Sequence, residues 1–382
     1  MATEFCVGLQ RSPFRRPLST LLSLLVLLVL TASQSLPRRP WLTSAGTSLD
    51  GPLDHRHLAI IINAADPLSE TIGRAYQGAR LIPPDQVIRV RFPPRTAALS
   101  PAVFRRLKRT VDSQTPGHVQ VYALAWAAPY RVGCQSITSA FTFGLDPRFC
   151  ASGCRTTALS PLFARGDVRR PWDQLGVRPS MLLAATSLAR ARRLIQLGVA
   201  SDGTAPPGTA YLLSTRDARR NTRAAGYGRI VAAMGSRFRV KVVASDALVG
   251  AQDVMAYFTG LAFPAGIRTN LYRPGAIADH LTSFGGQLTD SSQMSALRWL
   301  EAGATGSYGT VVEPCNFPAK FSDPGLLLTY YRRGDTLIES YWRSVAMPGQ
   351  GVFIGEPLAR PWPVREELMP GDGAGARPRH AR

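Results

Sequence analysis

Three short apolar runs, separated by amphipathic segments, constrain the fold of this chain more than any other sequence feature. The runs occupy residues 57–63, 87–92 and 119–126. The first of them is a short continuous run, which is typical of a strand buried on both faces of a sheet, and the other two also read as strands. Between them, Asp66 and the Ser100-Pro101 pair provide the side chains that commonly begin helices. The alternation predicts an α/β fold with a mainly parallel sheet and helices on both faces.

The same alternation suggests how the chain is organised. It extends over residues 57–362 and is interrupted by residues 130–178, which are rich in Gly, Pro, Cys and Arg. We interpret that stretch as a cysteine-containing insertion, because long loops inside domains are usually functional or held by cross-links. Residues 37–56 are predicted to be a linker, and residues 363–382 a disordered tail.

The amino-terminal segment has the pattern of an export signal. Arg15 and Arg16 precede an apolar run from Leu18 to Leu30, and the small residues Ala32 and Ser33 follow. The run is shorter than the roughly 20 residues that cross a bilayer. Residues 1–36 are therefore predicted to be a signal peptide or an amino-terminal anchor. The protein should be exported, either periplasmic or membrane-anchored and facing outward.

The formal charge of +20 comes from scattered arginines, since only three of the 45 basic residues are lysines. No nucleic-acid-binding motif accompanies this charge, so we predict no nucleic-acid partner. An anionic membrane surface or cell-wall polymer would attract such a protein. The partner is otherwise unknown and could be an envelope component or a peptide. Contact with the membrane itself is expected only through the amino-terminal segment.

Four cysteines follow the leader: Cys134, Cys150, Cys154 and Cys315. An even number in an exported protein predicts two disulfides, which could form in three pairings. Local pairing of Cys150 with Cys154 would leave Cys134 for Cys315. A zinc site completed by Cys315 or His280 is the alternative, but the spacing is only loosely that of zinc ligands. We predict no metal and no cofactor.

Polar residues in the last third of the chain follow segments that read as strands. They are Asp279, His280, Glu313, Asn316 and Glu356. Functional residues of open α/β sheets gather at the carboxyl ends of strands. These five residues are therefore predicted to form a binding surface.

Two resemblances rest on motifs in this region. The runs Pro274–Gly286, Glu313-Pro314-Cys315 and Gly355–Ala359 resemble an uncharacterised family of exported bacterial proteins, which implies no activity. The likeness covers nearly all of residues 57–362. A more distant likeness is to gingipain-type cysteine peptidases, which implies a caspase-like sheet, with a flavodoxin-like sheet as the alternative. The turn Tyr257–Ala262 is similar to the turn that carries their catalytic histidine, but Leu261 occupies that position here.

These observations leave two functional hypotheses. The first is a non-catalytic binding or scaffolding module of the cell envelope. The second is a cysteine-type hydrolase in which His280 activates Cys315 and Asp279 or Glu313 orients the imidazole. Glu313 and Glu356 could instead serve as an acid/base pair for glycan chemistry.

Overall fold

The computed structural model describes residues 52–151, 153–235 and 238–364. The predicted leader, most of the predicted linker and nearly all of the predicted tail lie outside these residues. No helix in the described ranges is long and apolar enough to cross a membrane.

The described strands vary from two to nine residues in length. In chain order they are β1 (Leu58–Asn63), β2 (Val87–Val90), β3 (Ala98–Leu99), β4 (Val121–Leu124), β5 (Arg131–Val132), β6 (Gln135–Ser136), β7 (Ser180–Leu182), β8 (Thr209–Ser214), β9 (Arg239–Ala244), β10 (Val254–Thr259), β11 (Tyr272–His280), β12 (Gly306–Thr310) and β13 (Gly351–Gly355).

The α-helices alternate with these strands along most of the chain. They are α1 (Pro67–Arg80), α2 (Pro101–Gln114), α3 (Ile137–Phe143), α4 (Pro171–Leu175), α5 (Leu188–Ser201), α6 (Tyr227–Met234), α7 (Leu297–Ala302), α8 (Pro324–Arg332) and α9 (Leu337–Ser344).

Ten of the strands form one sheet, in the order β2-β1-β4-β7-β13-β12-β11-β10-β8-β9. Neighbouring strands are parallel except at β12 and β13, which are antiparallel. Because β13 is parallel to β7, the strands on the two sides of this junction run in opposite directions. The carboxyl ends of β10, β11 and β12 therefore lie at the edge of the sheet where β13 begins.

Local sequence explains how the predicted helices begin. The Asp66 carboxylate accepts a hydrogen bond from the amide of Leu68 at the start of α1. The Ser100 hydroxyl accepts one from the amide of Val103, and Pro101 occupies the first position of α2. Such caps satisfy amide groups that have no acceptor within the helix and typically stabilise it by about 1 kcal/mol.

Helices cover both faces of the large sheet. On one face the core includes side chains from α1, α5, α6, α8 and α9, such as Tyr76, Ile195 and Tyr331. On the other face the apolar side chains of α2, α3 and α7 pack against the strands, as Phe104 and Leu297 do. The predicted α/β fold, with a mainly parallel sheet and helices on both faces, is confirmed.

The predicted insertion is more regular than its sequence indicates. It contains α3 and α4, and its short strands β5 and β6 join β3 in a separate three-stranded sheet. Arg169 from this region forms an ion pair with buried Asp335 at 3.0 Å. This ion pair and a disulfide between Cys154 and Cys315 therefore join the insertion to the rest of the domain.

Candidate functional site

A groove lies at the carboxyl ends of β11 and β12, where the sequence placed the candidate site. Its volume is about 500 Å³. Residues 281–283 after β11, residues 313–316 after β12, Arg219, Arg220 and Cys154 all line it. We call this cavity the strand-end groove.

A disulfide forms part of the wall of the strand-end groove. Cys315 is bonded to Cys154, with Cα atoms 5.2 Å apart, and Cys134 is bonded to Cys150, with Cα atoms 5.4 Å apart. Both Cα distances are ordinary for disulfides. The number of disulfides agrees with the prediction, but the pairing differs from the local Cys150–Cys154 alternative. While its disulfide is intact, Cys315 has no thiol that could act as a nucleophile.

The turn after β12 is held by two side chains that hydrogen-bond to its backbone. Cys315 adopts a left-handed conformation with φ of 53°. The carboxylate of Glu313 accepts a hydrogen bond from the Cys315 amide at 2.7 Å, and the amide side chain of Gln350 donates to the Glu313 carbonyl at 2.8 Å. Glu313 and Asn316 are exposed beside the groove. Glu313 therefore has a capping contact within the turn while its side chain remains accessible to a ligand.

His280, the last residue of β11, is buried and fully hydrogen-bonded. Its Nδ1 accepts from the indole Nε1 of Trp299 at 2.9 Å, and its Nε2 lies 2.9 Å from the carbonyl oxygen of Met294. Because the indole can only donate and the carbonyl can only accept, the imidazole is neutral with its proton on Nε2. Burial lowers its pKa to about 3. Neither ring nitrogen is available to take a proton from a nucleophile.

Asp279 is also buried and does not contribute to an exposed surface. Its carboxylate accepts a hydrogen bond from Arg223 at 2.6 Å and another from the hydroxyl of Ser322. Burial raises the pKa of Asp279, although the Arg223 charge and the Ser322 bond oppose this shift. Neighbouring residues of a strand point to opposite faces, so Asp279 does not orient the imidazole of His280.

Arg223 is a central residue that sequence reasoning missed. In addition to Asp279, it donates to the carbonyl of Thr259 at 2.8 Å and to that of Ser322 at 3.2 Å. It therefore joins the ends of β10 and β11 to the loop before α8. The sequence does not mark Arg223 as special, because arginines are scattered throughout this chain.

Glu356 belongs to a different part of the molecule. It follows β13, which runs antiparallel to β12, so it lies at the opposite edge of the sheet from Glu313. Its buried carboxylate accepts from the hydroxyl of Tyr76 at 2.6 Å and from Nε of Arg80 at 3.1 Å. Gly198 is needed there, because a Cβ at that position would lie 2.2 Å from the carboxylate. The structure thus separates Glu356 from the predicted binding surface and from an acid/base pair with Glu313.

The geometry around the cysteines does not resemble a metal centre. All four cysteines considered as zinc ligands are in disulfides. In the described part of the chain, no group of three or more His, Cys, Asp or Glu residues could hold a metal ion.

Comparisons with known proteins give little further information. No protein-family model matches the chain. No curated protein matches it either. A solved structure described as "Structure of Protease" is similar over 82% of this chain and 81% of its own, with 9% sequence identity and a TM-score of 0.39. Similarity at this level supports no inference about activity.

Proposed function

We propose that this protein is an exported, non-catalytic binding module of the cell envelope, and that the strand-end groove holds a peptide-like segment of its partner. The observation that carries the proposal is the bonding state of the two groups that catalysis would need. Cys315 is cross-linked to Cys154, and both nitrogens of His280 are hydrogen-bonded. A thiolate nucleophile and an available base are both required for cysteine-type hydrolysis.

The residues of the groove suit a ligand that carries both charge and amide groups. Arg219, Glu313 and Asn316 all line the groove and are exposed. Arg220 is held in position by bonds to Asp217 at 2.8 Å and to the Thr282 hydroxyl at 3.2 Å. A cation, a carboxylate and an amide around one groove can contact the main chain and the charged side chains of an extended peptide.

The proposed compartment is supported by the cysteine chemistry. Two disulfides persist most readily in the oxidising environment of secreted or periplasmic proteins. The predicted export segment points to the same compartment, and the basic charge suits a partner surface that is anionic.

The alternative function is a cysteine-type hydrolase that is activated by reduction. One observation favours keeping it: Cys315 and residues 281–283, which directly follow His280, line the same groove. Reduction of the Cys154–Cys315 disulfide would release a thiol there. His280 would also have to give up at least one of its present hydrogen bonds.

A library of internally quenched peptides tests the two functions against each other. We expect no hydrolysis by the purified full chain, either before or after mild reduction. We also expect saturable binding of a subset of peptides. The substitution Arg219→Gln should weaken this binding. The control Arg106→Gln, which changes an exposed residue of α2, should leave it unchanged. Hydrolysis that appears on reduction and disappears in Cys315→Ser would establish the hydrolase. Absence of saturable binding would refute the binding role of the groove.

A further inference from the structure

Three arginines contact one carboxylate beside the carboxyl end of β7, and a fourth arginine lines the cleft there, which is distinct from the strand-end groove. The cleft has a volume of about 360 Å³ and is lined by residues 184–186, which connect β7 to α5. Three guanidinium groups contact the carboxylate of Glu301, namely those of Arg298 at 2.6 Å, Arg190 at 2.8 Å and Arg268 at 3.5 Å. Arg193 also lines the cleft.

The charges in this cleft do not balance. Glu301 is the one acidic residue among the described residues that line it, so Arg190, Arg193 and Arg268 together with Glu301 already leave a net charge of two positive units. The additional contact of Arg298 with the same carboxylate raises the excess to three. Like charges this close repel each other, and a bound anion would remove the repulsion.

The arginine side chains keep donors free for such an anion. The side chain of Glu301 is only 6% exposed, whereas those of Arg190, Arg268 and Arg298 are 50%, 66% and 53% exposed. The carboxylate therefore lies beneath guanidinium groups that face solvent. Each guanidinium has five N–H donors in a planar fork, which can contact two oxygens of a phosphate at once.

The amino end of α5 adds a second source of positive potential. Ser187 caps this helix of 14 residues, and its hydroxyl accepts from the amide of Arg190. Thr186 and Arg190 both line the cleft, so the first turn of the helix borders it. Amide groups at helix amino ends, together with the helix dipole, favour anions and phosphate in particular.

We propose that this cleft binds a pyrophosphate-bearing ligand. A pyrophosphate group carries close to the three negative charges that the cleft lacks, and it offers several oxygens to the arginine forks and to the helix. The cleft is large enough to leave room for a group attached to the pyrophosphate. This site is independent of the proposed peptide-binding function, because the two cavities share no lining residue.

Calorimetric titration of the purified full chain with inorganic pyrophosphate tests the proposal. At constant ionic strength, we expect one pyrophosphate to bind per chain and more tightly than orthophosphate or sulfate. The paired substitution Arg193→Gln/Arg268→Gln should weaken binding at least about tenfold, because each arginine supplies charge-assisted hydrogen bonds. Both side chains are exposed, so the variant should fold normally.

A matched variant separates this site from general attraction by a basic protein. Arg105→Gln/Arg106→Gln removes the same charge from the exposed surface of α2 and should leave pyrophosphate affinity unchanged. No measurable pyrophosphate binding would overturn the proposal. Equal weakening by both pairs of substitutions would also overturn it, since that result would indicate attraction to net charge alone.

Discussion

The indole Nε1 of Trp299 donates a hydrogen bond to Nδ1 of His280 at 2.9 Å. An indole N–H can only donate, so this contact requires the histidine nitrogen to be an acceptor. The other nitrogen, Nε2, is occupied by the carbonyl of Met294. The imidazole at the end of β11 is thus fixed as a structural element.

The buried imidazole should resist protonation. Its pKa is about 3 in the folded protein because burial disfavours the charged form. In an unfolded chain a histidine pKa is about 6.5. Between these values the unfolded state binds the extra proton, so stability falls as the pH falls, by about 1.4 kcal/mol for each pH unit.

Unfolding by urea at several pH values checks this expectation. The substitution His280→Gln keeps an acceptor for Trp299 and a donor for Met294, but it removes the titrating group. The stability advantage of the natural protein over the variant should shrink from pH 7 to pH 4.5. An advantage that is constant with pH, or a histidine signal that titrates near its ordinary pKa, would contradict the structure.

The buried pair of Arg223 and Asp279 should matter for stability. Replacing either partner leaves the other charge buried without compensation, which typically costs about 3–5 kcal/mol. We therefore expect Arg223→Met and Asp279→Asn each to destabilise the protein by about that amount. The double variant should cost clearly less than the sum of the two single variants. Additive effects in the double-mutant cycle would show that the two side chains do not interact.

The two glutamates that precede prolines should respond differently to substitution. Glu356→Gln removes a buried charge that contacts Arg80, so we expect a loss of about 3 kcal/mol. Glu313→Gln keeps the oxygen that accepts from the Cys315 amide at an exposed site, and its effect should stay within about 0.5 kcal/mol. Denaturant titrations of both variants provide the measurement. Similar losses would argue against the opposite placements of these residues.

The two disulfides should stabilise the protein to different extents. Their sequence separations are 161 residues for Cys154–Cys315 and 16 residues for Cys134–Cys150. Closing the longer loop removes more entropy from the unfolded chain, by about 2 kcal/mol in the loop-entropy estimate. Urea unfolding should therefore show a larger loss for Cys154→Ser/Cys315→Ser than for Cys134→Ser/Cys150→Ser. The reverse order would contradict the pairing or the entropic account.

Much of the fold was predictable from local sequence. The apolar run at β1 and the helix caps at Asp66 and Ser100 predict strands alternating with helices. These features can be recognised because each depends only on residues that are close together in the sequence. Strand β13 was missed, since its sequence Gly351–Gly355 is short and bounded by glycines, which weaken strand signals. Strand β7 was missed because only three residues form it.

The candidate site was less predictable because its contacts join residues that are distant in sequence. Asp279 and His280 are the last two residues of β11 and Glu313 follows β12, but whether each side chain is exposed depends on packing from other elements. Arg223 bonds to Asp279 and Trp299 bonds to His280. Neither partner is marked by a sequence motif. The choice of Cys154 as the partner of Cys315 likewise depends on the folded position of the insertion.

The bonding state of Cys315 is the central claim, and peptide mapping without reduction tests it most directly. The purified full chain should be treated with a maleimide under denaturing conditions and then digested. We predict a cross-linked peptide that contains Cys154 and Cys315, with no maleimide on either residue. A parallel sample should be treated with the maleimide in the native state. A maleimide adduct on Cys315 in that sample would contradict a non-catalytic groove closed by a disulfide.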